Sequence, residues 1–89
     1  MTKLTIIIPV YNEIKTIEKL IKKVLKINIK KQLIIIDDAS SDGSDKILLK
    51  YKNRIDKIIT HKKNLGKGAG IISAKKFIKG KFVAIQDAD

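Results

Sequence analysis

The chain is 89 residues long, a length that limits it to one small domain. It contains no cysteine, which excludes disulfides and thiolate metal sites, and no apolar run reaches the about 18 residues that a membrane-spanning helix requires. The formal net charge of +11 at pH 7 is of the kind that attracts nucleic acid, but all but one of the 20 basic residues are lysine, and the two tyrosines and two phenylalanines are scattered. Base reading by arginine and stacking on aromatic platforms are therefore unfavoured, and we expect no nucleic-acid partner.

The first half of the chain predicts a strand, a helix and a second strand. The β-branched run 4–10 is typical of a strand, and Pro9 marks its end because proline cannot donate to a sheet ladder. Apolar residues then recur at helical spacing as far as residue 25, which predicts an amphipathic helix with Asn12 as its N-cap. The continuous apolar tetrad 33–36 predicts a strand buried on both faces, as in a parallel sheet.

The second half continues this alternation of strands and helices. Turn residues at 40–44 precede a short helix that we expect Asp42 or Ser44 to cap. The remaining predicted elements are a strand at 55–60, a helix that follows the basic loop 62–70 and is ended by Gly80, and a strand at 82–85. The alternation predicts an α/β fold, a Rossmann-like three-layer sandwich with a parallel sheet of about four strands. In such sheets ligands bind beyond the carboxyl ends of the strands.

Two acidic clusters follow predicted strands. Together they hold six of the nine acidic residues, namely Asp37, Asp38, Asp42, Asp45, Asp87 and Asp89. Asp87 and Asp89 are two residues apart after the fourth strand, so in extended chain their side chains project to the same side. Such a pair suits Mg²⁺ or Mn²⁺, which needs only one or two protein carboxylates when substrate phosphates and waters complete its shell. A polar turn at the strand end is the alternative, and the triplet by itself leaves both open.

The acidic pair Asp37 and Asp38 lies where a nucleotide-binding sheet places a carboxylate against a ribose or a base. Helix capping explains Asp42 or Ser44 but leaves this pair unexplained. The pair is therefore a candidate for nucleoside binding.

Three further features permit either a functional or a structural interpretation. Lys67 lies in a glycine-rich loop at a predicted helix start, which either receives a phosphate or is an ordinary turn. Tyr11 and Glu13 either stack on a base and bind a ribose hydroxyl, or belong to a segment that caps the first helix. His61, the only histidine, is predicted to be a solvated loop residue, and no role is assigned to it.

Four segments, in order along the chain, resemble family 2 glycosyltransferases, and most of all the dolichyl- and polyprenyl-phosphate mannose or glucose synthases. They are IIPVYNE at 7–13, IDDASSDGS at 36–44, NLGKGA at 64–69 and QDAD at 86–89. The resemblance implies a GT-A fold with sheet order 3-2-1-4. It also implies an enzyme that transfers a hexose, with inversion, from a UDP- or GDP-sugar to an acceptor such as a polyprenyl phosphate. The implied order puts the loops after the first and fourth strands at one crevice.

The motif match also implies roles for single residues. The donor-binding residues that it implies are Pro9, Tyr11, Glu13, Ile36, Asp38, Lys67, Asp87 and Ala88. Asp87 and Asp89 are implied as ligands of Mg²⁺ or Mn²⁺, and Ala39 stands where the family commonly has glycine. Such enzymes carry the acceptor pocket and the catalytic base beyond the metal triplet. We therefore expect residues 1–89 to be the donor- and metal-binding part of a GT-A domain, without its acceptor half or its base.

Two other classes of function remain open from the sequence. One is a non-catalytic nucleotide-binding module, or an inactive fragment, that keeps the same pocket. The other is a basic scaffold for anionic lipid or nucleic acid, whose affinity would collapse with salt. Lysines on the first helix also favour peripheral attachment to a membrane. The start of the chain lacks a signal-peptide pattern, which predicts a cytoplasmic protein, at the inner face of the membrane if its acceptor is a lipid.

Overall fold

The computed structural model describes residues 3–88, over which four strands and three α-helices alternate along the chain. The strands are β1 (Leu4–Val10), β2 (Lys31–Asp37), β3 (Lys57–Thr60) and β4 (Phe82–Ile85). The helices are α1 (Ile17–Leu25), α2 (Ser44–Lys50) and α3 (Lys67–Lys75), with a short 3-10 turn at Lys52–Arg54. All strand pairs are parallel, and the sheet order is β3-β2-β1-β4. The predicted α/β fold and its 3-2-1-4 sheet are confirmed.

The core lies on both faces of the two central strands, because successive side chains of a strand point to opposite sides. On one face Ile6 and Ile8 of β1 pack with Ile21 of α1 and other buried residues of α1 and α2. On the other face Ile7 packs with Ala74 of α3 and with residues of β2. Helices therefore cover both sides of the sheet, which makes three layers. Within residues 3–88 no helix is long and apolar enough to cross a membrane.

The start of α1 differs from its prediction. The helix begins at Ile17 with Thr16 as its N-cap, so the expectation that Asn12 caps it was wrong. Asn12 has a φ of +52° and connects two loops: its N–H donates to Ser40 Oγ at 3.0 Å, and its Oδ1 accepts from the Ser41 N–H at 2.7 Å. These bonds span nearly 30 residues of chain, and they replace the local cap that helical spacing predicted.

Two other predicted helix boundaries were also wrong. Gly43, with a φ of +98°, occupies the N-cap position of α2 in place of Asp42 or Ser44, although Asp42 Oδ1 accepts from the Ser44 N–H at 2.9 Å. Gly80 does not end α3, whose last residue is Lys75. It lies against β1 instead, where a Cβ atom on residue 80 would be 2.5 Å from the backbone nitrogen of Thr5. Glycine is needed there because the two backbones approach so closely.

Candidate functional site

A cleft opens beyond the carboxyl ends of β1, β2 and β4, next to the start of α3. It is lined by Pro9, Val10, Tyr11, Glu13, Ile36, Asp38, Gly66, Lys67, Gly70, Asp87 and Ala88. The structure thus brings together all eight donor-binding residues that the motif match implied, although they come from four separate segments. The parallel order explains this gathering, since the loops after β1 and β4 are neighbours at the same edge.

Asp38 is the most buried polar residue of the cleft, with only 6% of its surface exposed. Its Oδ1 accepts from His61 Nδ1 at 2.8 Å and from the Leu65 N–H at 2.9 Å, and its Oδ2 accepts from the Gly66 N–H at 2.8 Å. Burial raises the pKa of Asp38, but the hydrogen bonds from Leu65, His61 and Gly66 outweigh it, so the pKa lies below its ordinary value of 3.8. Asp38 is therefore an oriented anion at neutral pH.

His61 is a residue whose position the sequence analysis missed. It was predicted to be solvated, yet its side chain is only 8% exposed and lies between Asp38 and Ser73, whose Oγ is 2.9 Å from Nε2. The prediction was wrong because it treated the residue after the third strand as loop. In the parallel register Asp37 pairs with Thr60, so the next residue of each strand, Asp38 and His61, are adjacent. The implied sheet order, combined with the predicted ends of the second and third strands, would have placed Asp38 beside His61.

The segment after Asp38 holds the loop that follows β1. Backbone N–H groups of that loop donate to side chains of the segment: Glu13 to Ser44 Oγ at 3.1 Å and Ile14 to Asp42 Oδ2 at 3.0 Å. Desolvation raises the pKa of Asp42, but hydrogen bonds from Ser44 and from the Ile14 N–H outweigh it, so the pKa lies below its ordinary value. These polar residues therefore fix the position of the loop that carries Tyr11 and Glu13.

The start of α3 forms another wall of the cleft. Gly66 precedes the helix with a φ of +93°, a conformation that glycine adopts without strain. Gly70 packs so closely on β2 that a Cβ atom there would be 3.3 Å from Ile36. Lys67, the first residue of α3, lies at the cleft and is ion-paired with Asp87. The helix start thus brings the positive end of its backbone dipole and a lysine to the opening, a combination that suits an anion.

Asp87 and Ala88 continue directly from β4. The Gln86 N–H donates to the Ile7 carbonyl at 2.9 Å, and the Thr16 hydroxyl donates to the Ala88 carbonyl at 2.5 Å. Ala88 is buried, while the Asp87 side chain is 49% exposed. Residues 86–88, which we call the acidic loop, are therefore attached to β1 on one side and to the start of α1 on the other.

The predicted metal ligands are only partly described. Asp89 lies outside residues 3–88, so its position relative to Asp87 stays a prediction. Among the described residues no three His, Cys, Asp or Glu side chains form a metal-binding group. A cation that arrives with a diphosphate requires only one or two protein carboxylates, and Asp87, half-exposed at the cleft, fits that lower requirement.

Comparison with known proteins assigns the chain to a family. The profile described as Glycosyl transferase family 2 matches residues 5–89. The chain belongs to this family. The family membership agrees with the sequence motifs and with the observed sheet order, and the resemblance stated from the motifs is confirmed.

Three similar proteins illustrate the family 2 glycosyltransferase match. A cholesterol galactosyltransferase of Borreliella burgdorferi is 35% identical over 98% of this chain and 25% of its own length. An undecaprenyl-phosphate 4-deoxy-4-formamido-L-arabinose transferase of Salmonella choleraesuis is 29% identical over 98% of this chain and 29% of its own length. The solved structure of S. aureus TarS in complex with UDP is 28% identical, covers 99% of this chain and 28% of that chain, and has a TM-score of 0.88. The chain therefore spans only about a quarter to a third of these relatives.

Proposed function

We propose that this chain forms the nucleotide-sugar-binding part of a hexosyltransferase that uses a UDP- or GDP-sugar and inverts the configuration of the transferred sugar. The observation that carries the proposal is the single cleft shared by Tyr11, Asp38, Lys67 and Asp87. The apolar and aromatic side of the cleft suits a base, and the ionised acceptor suits a donor group of the base or the ribose. The helix start with its lysine suits a diphosphate, and the exposed carboxylate suits the cation that the diphosphate carries. TarS, a similar protein of the same fold, binds UDP.

The nucleoside end of the donor lies in this proposal against the first and second strands. Pro9 and Ile36 supply apolar surface, and the exposed ring of Tyr11 supplies a face on which a base can stack. Glu13 and Asp38 supply carboxylates that accept hydrogen bonds from ribose hydroxyls or from a base N–H. Because Asp38 is held as an anion, it selects a group that donates.

The diphosphate end lies between Lys67 and the acidic loop. Asp87, with Asp89, would hold a Mg²⁺ or Mn²⁺ ion, and Ala88 would approach the diphosphate through its backbone. The bound cation would supply charge neutralisation for the departing nucleoside diphosphate. Lys67 would contact a phosphate oxygen from the opposite wall, where its ammonium already faces a carboxylate.

The acceptor in this proposal is a lipid such as a polyprenyl phosphate. Two relatives are named for cholesterol and for undecaprenyl phosphate, both membrane lipids. The exposed lysines of α1 (Lys19, Lys22 and Lys23) and of its C-cap (Lys26) would favour a peripheral position on the anionic inner face of a membrane. Liposome flotation tests this part: salt should release the chain from anionic vesicles, and binding that high salt leaves unchanged contradicts it.

The proposal as a whole is tested by titration calorimetry of the chain with UDP, GDP and their hexose derivatives, with and without Mn²⁺. We expect Mn²⁺-dependent binding of one nucleotide class. Loss of one residue that hydrogen-bonds to a metal ligand lowers metal affinity about 10- to 100-fold. Asp87 is proposed as a ligand itself, so Asp87→Asn should weaken Mn²⁺-dependent binding by at least about tenfold. Asp45→Asn, which removes an exposed carboxylate of α2, is the matched control and should bind as the parent does. Absence of Mn²⁺-dependent nucleotide binding by the parent chain would end the proposal.

A further inference from the structure

A chain of three polar side chains runs from the cleft into the protein. Asp38 follows β2, His61 follows β3, and Ser73 lies in α3. His61 Nδ1 is 2.8 Å from Asp38 Oδ1, and His61 Nε2 is 2.9 Å from Ser73 Oγ. The backbone of His61 is fixed as well, because its N–H donates to the Asp37 carbonyl at 2.9 Å. The imidazole is thus held by three elements of the fold.

The positions of the protons shared by these three side chains follow from the ionised state of Asp38. A carboxylate only accepts hydrogen bonds, so the bond between His61 and Asp38 requires a hydrogen on Nδ1. In the neutral ring Nε2 then has a lone pair, and the Ser73 hydroxyl donates to it. The environment therefore selects one tautomer of His61, with its N–H directed at Asp38.

The two oxygens of Asp38 are used unequally. A carboxylate offers about four acceptor positions, two on each oxygen. Oδ1 accepts from both His61 and Leu65, whereas Oδ2 accepts from Gly66. Among the hydrogen bonds of residues 3–88, the position left to fill on this carboxylate is therefore on Oδ2, and Asp38 lines the cleft.

We propose that His61 is a positioning residue for the nucleoside. It holds Oδ1 of Asp38 inside the protein, so that Oδ2 presents its remaining acceptor position to a donor group on the base or the ribose. The torsion that rotates an aspartate carboxyl group is soft, so the plane of Asp38 is set by its hydrogen bonds. The bond from His61 is the one that comes from a side chain anchored at its far end by Ser73. The inference rests on the proposed function, because it concerns the same cleft.

The Asp38, His61 and Ser73 side chains are connected as in a nucleophilic catalytic triad. Their positions, however, favour a role for His61 in holding Asp38 in place. Ser73 lines a separate groove, together with Thr60 and Phe77, and its hydroxyl is bonded to His61. The member at the cleft is Asp38, the acid. A donor bound in the cleft would therefore meet the carboxylate and not the serine.

The test compares variants of His61 with two probes. We expect His61→Leu, which removes the donor to Asp38, to weaken binding of UDP or GDP with Mn²⁺ by about tenfold, as for loss of a hydrogen bond to a charged group. Binding of Mn²⁺ pyrophosphate, which lacks a nucleoside, should stay within about twofold of the parent, well below that tenfold loss. His61→Asn, whose amide nitrogen replaces Nδ1 as donor, should recover nucleotide binding to within about threefold of the parent.

The outcomes separate this inference from the proposed function. A parent chain that binds no nucleotide overturns the proposed function and this inference together. A parent that binds, with a His61→Leu variant that binds equally well or that loses pyrophosphate to the same extent, overturns only the positioning role. If His61→Leu does not fold, Ser73→Ala replaces it: we expect about threefold weaker nucleotide binding with unchanged pyrophosphate binding, and no change in either contradicts the inference.

A spectroscopic measurement on the parent chain requires no variant. His61 is the only histidine, so its imidazole signals in a long-range proton–nitrogen spectrum are assigned without ambiguity. We expect the Nδ1–H tautomer, with an Nδ1 proton signal that shifts when UDP or GDP binds with Mg²⁺. Mn²⁺ is paramagnetic, so Mg²⁺ replaces it in this experiment. An Nε2–H tautomer, or a signal that Mg²⁺ pyrophosphate shifts as much as the nucleotide does, contradicts the inference.

Discussion

Lys67 and Asp87 form an ion pair across the cleft, between the start of α3 and the loop after β4. Both side chains are about half-exposed, at 53% and 49%, and an ion pair in such a setting contributes only about 0–1 kcal/mol. A divalent ion that binds Asp87 can therefore displace the ammonium at low cost. In the proposed site the displaced lysine would remain beside the diphosphate, so we expect Lys67 to weaken metal binding and to strengthen nucleotide binding.

Lys67→Met tests this opposition. Removing the positive charge beside Asp87 should strengthen binding of Mn²⁺ alone by up to about fivefold, because screening limits the effect of an exposed charge to about 1 kcal/mol. Binding of UDP or GDP with Mn²⁺ should weaken by about tenfold, since a charge-assisted contact to phosphate is lost. Electron paramagnetic resonance of free Mn²⁺ and calorimetry measure the two affinities. Lys63→Met, at an exposed loop position, is the control, and equal weakening of both affinities by Lys67→Met would contradict the expected opposition.

Thr16→Val tests the attachment of the acidic loop to α1. The Thr16 hydroxyl donates to the Ala88 carbonyl, and the residue makes no side-chain capping bond to its own helix. Valine preserves the shape and removes the hydroxyl, so we expect Mn²⁺-dependent nucleotide binding to weaken by about three- to tenfold while unfolding free energy falls by only about 1 kcal/mol. Thr16→Ser retains the hydroxyl and should behave as the parent. A large loss of stability with unchanged binding would show that the bond serves the fold instead.

Asp38→Asn tests the pH dependence of stability. The pKa of Asp38 lies below 3.8 in the folded chain, so folding favours the ionised carboxylate. The stability that this preference contributes is fully present above the unfolded pKa and is lost as pH falls through the lower folded pKa. Urea unfolding of the parent and of Asp38→Asn should therefore give a difference that is constant well above pH 3.8 and shrinks as the pH falls below that value. Asp45→Asn controls for the loss of one negative charge, and a difference that is independent of pH would contradict the assignment.

Ala39→Gly tests the strain in the loop after Asp38. Ala39 has a φ of +65°, which costs an L-residue about 1–2 kcal/mol, whereas the greater freedom of unfolded glycine costs about 0.4–1 kcal/mol. We expect the variant to be more stable by about 0.5–1 kcal/mol, with a melting temperature higher by about 2–8 °C. Ala69→Gly makes the same substitution inside α3 and should lower stability by about 0.5–1 kcal/mol. A lower melting temperature for Ala39→Gly would show that the loop is not strained.

Ala39 also explains a departure seen in the sequence. The resemblance placed Ala39 where glycine is common in the family, and the structure places that position in the left-handed region that favours glycine. The sequence identified the position as unusual because the motif surrounds it. The backbone conformation that makes glycine favourable there was visible only in the fold.

The fold class could be predicted from the sequence, and so could eight of the residues that line the cleft. Continuous apolar runs define β1 and β2, and strands alternating with helices permit few arrangements other than a parallel sheet. The motifs after these strands then select the residues of the cleft, because all carboxyl ends of a parallel sheet lie at one edge. Pro9, Tyr11, Asp38 and Asp87 were identified in this way, and they lie together in the structure.

The polar side chains that hold the cleft residues in position could not be predicted from the sequence. Asp38 and His61 are adjacent because β2 and β3 pair with Asp37 opposite Thr60. Asn12 forms hydrogen bonds with Ser40 and Ser41 instead of capping a helix. Helical periodicity and capping preferences describe residues that are close in sequence, within about one or two turns. The partners of His61 and Asn12 are 12 to 29 residues away, so strand register and loop packing determine them.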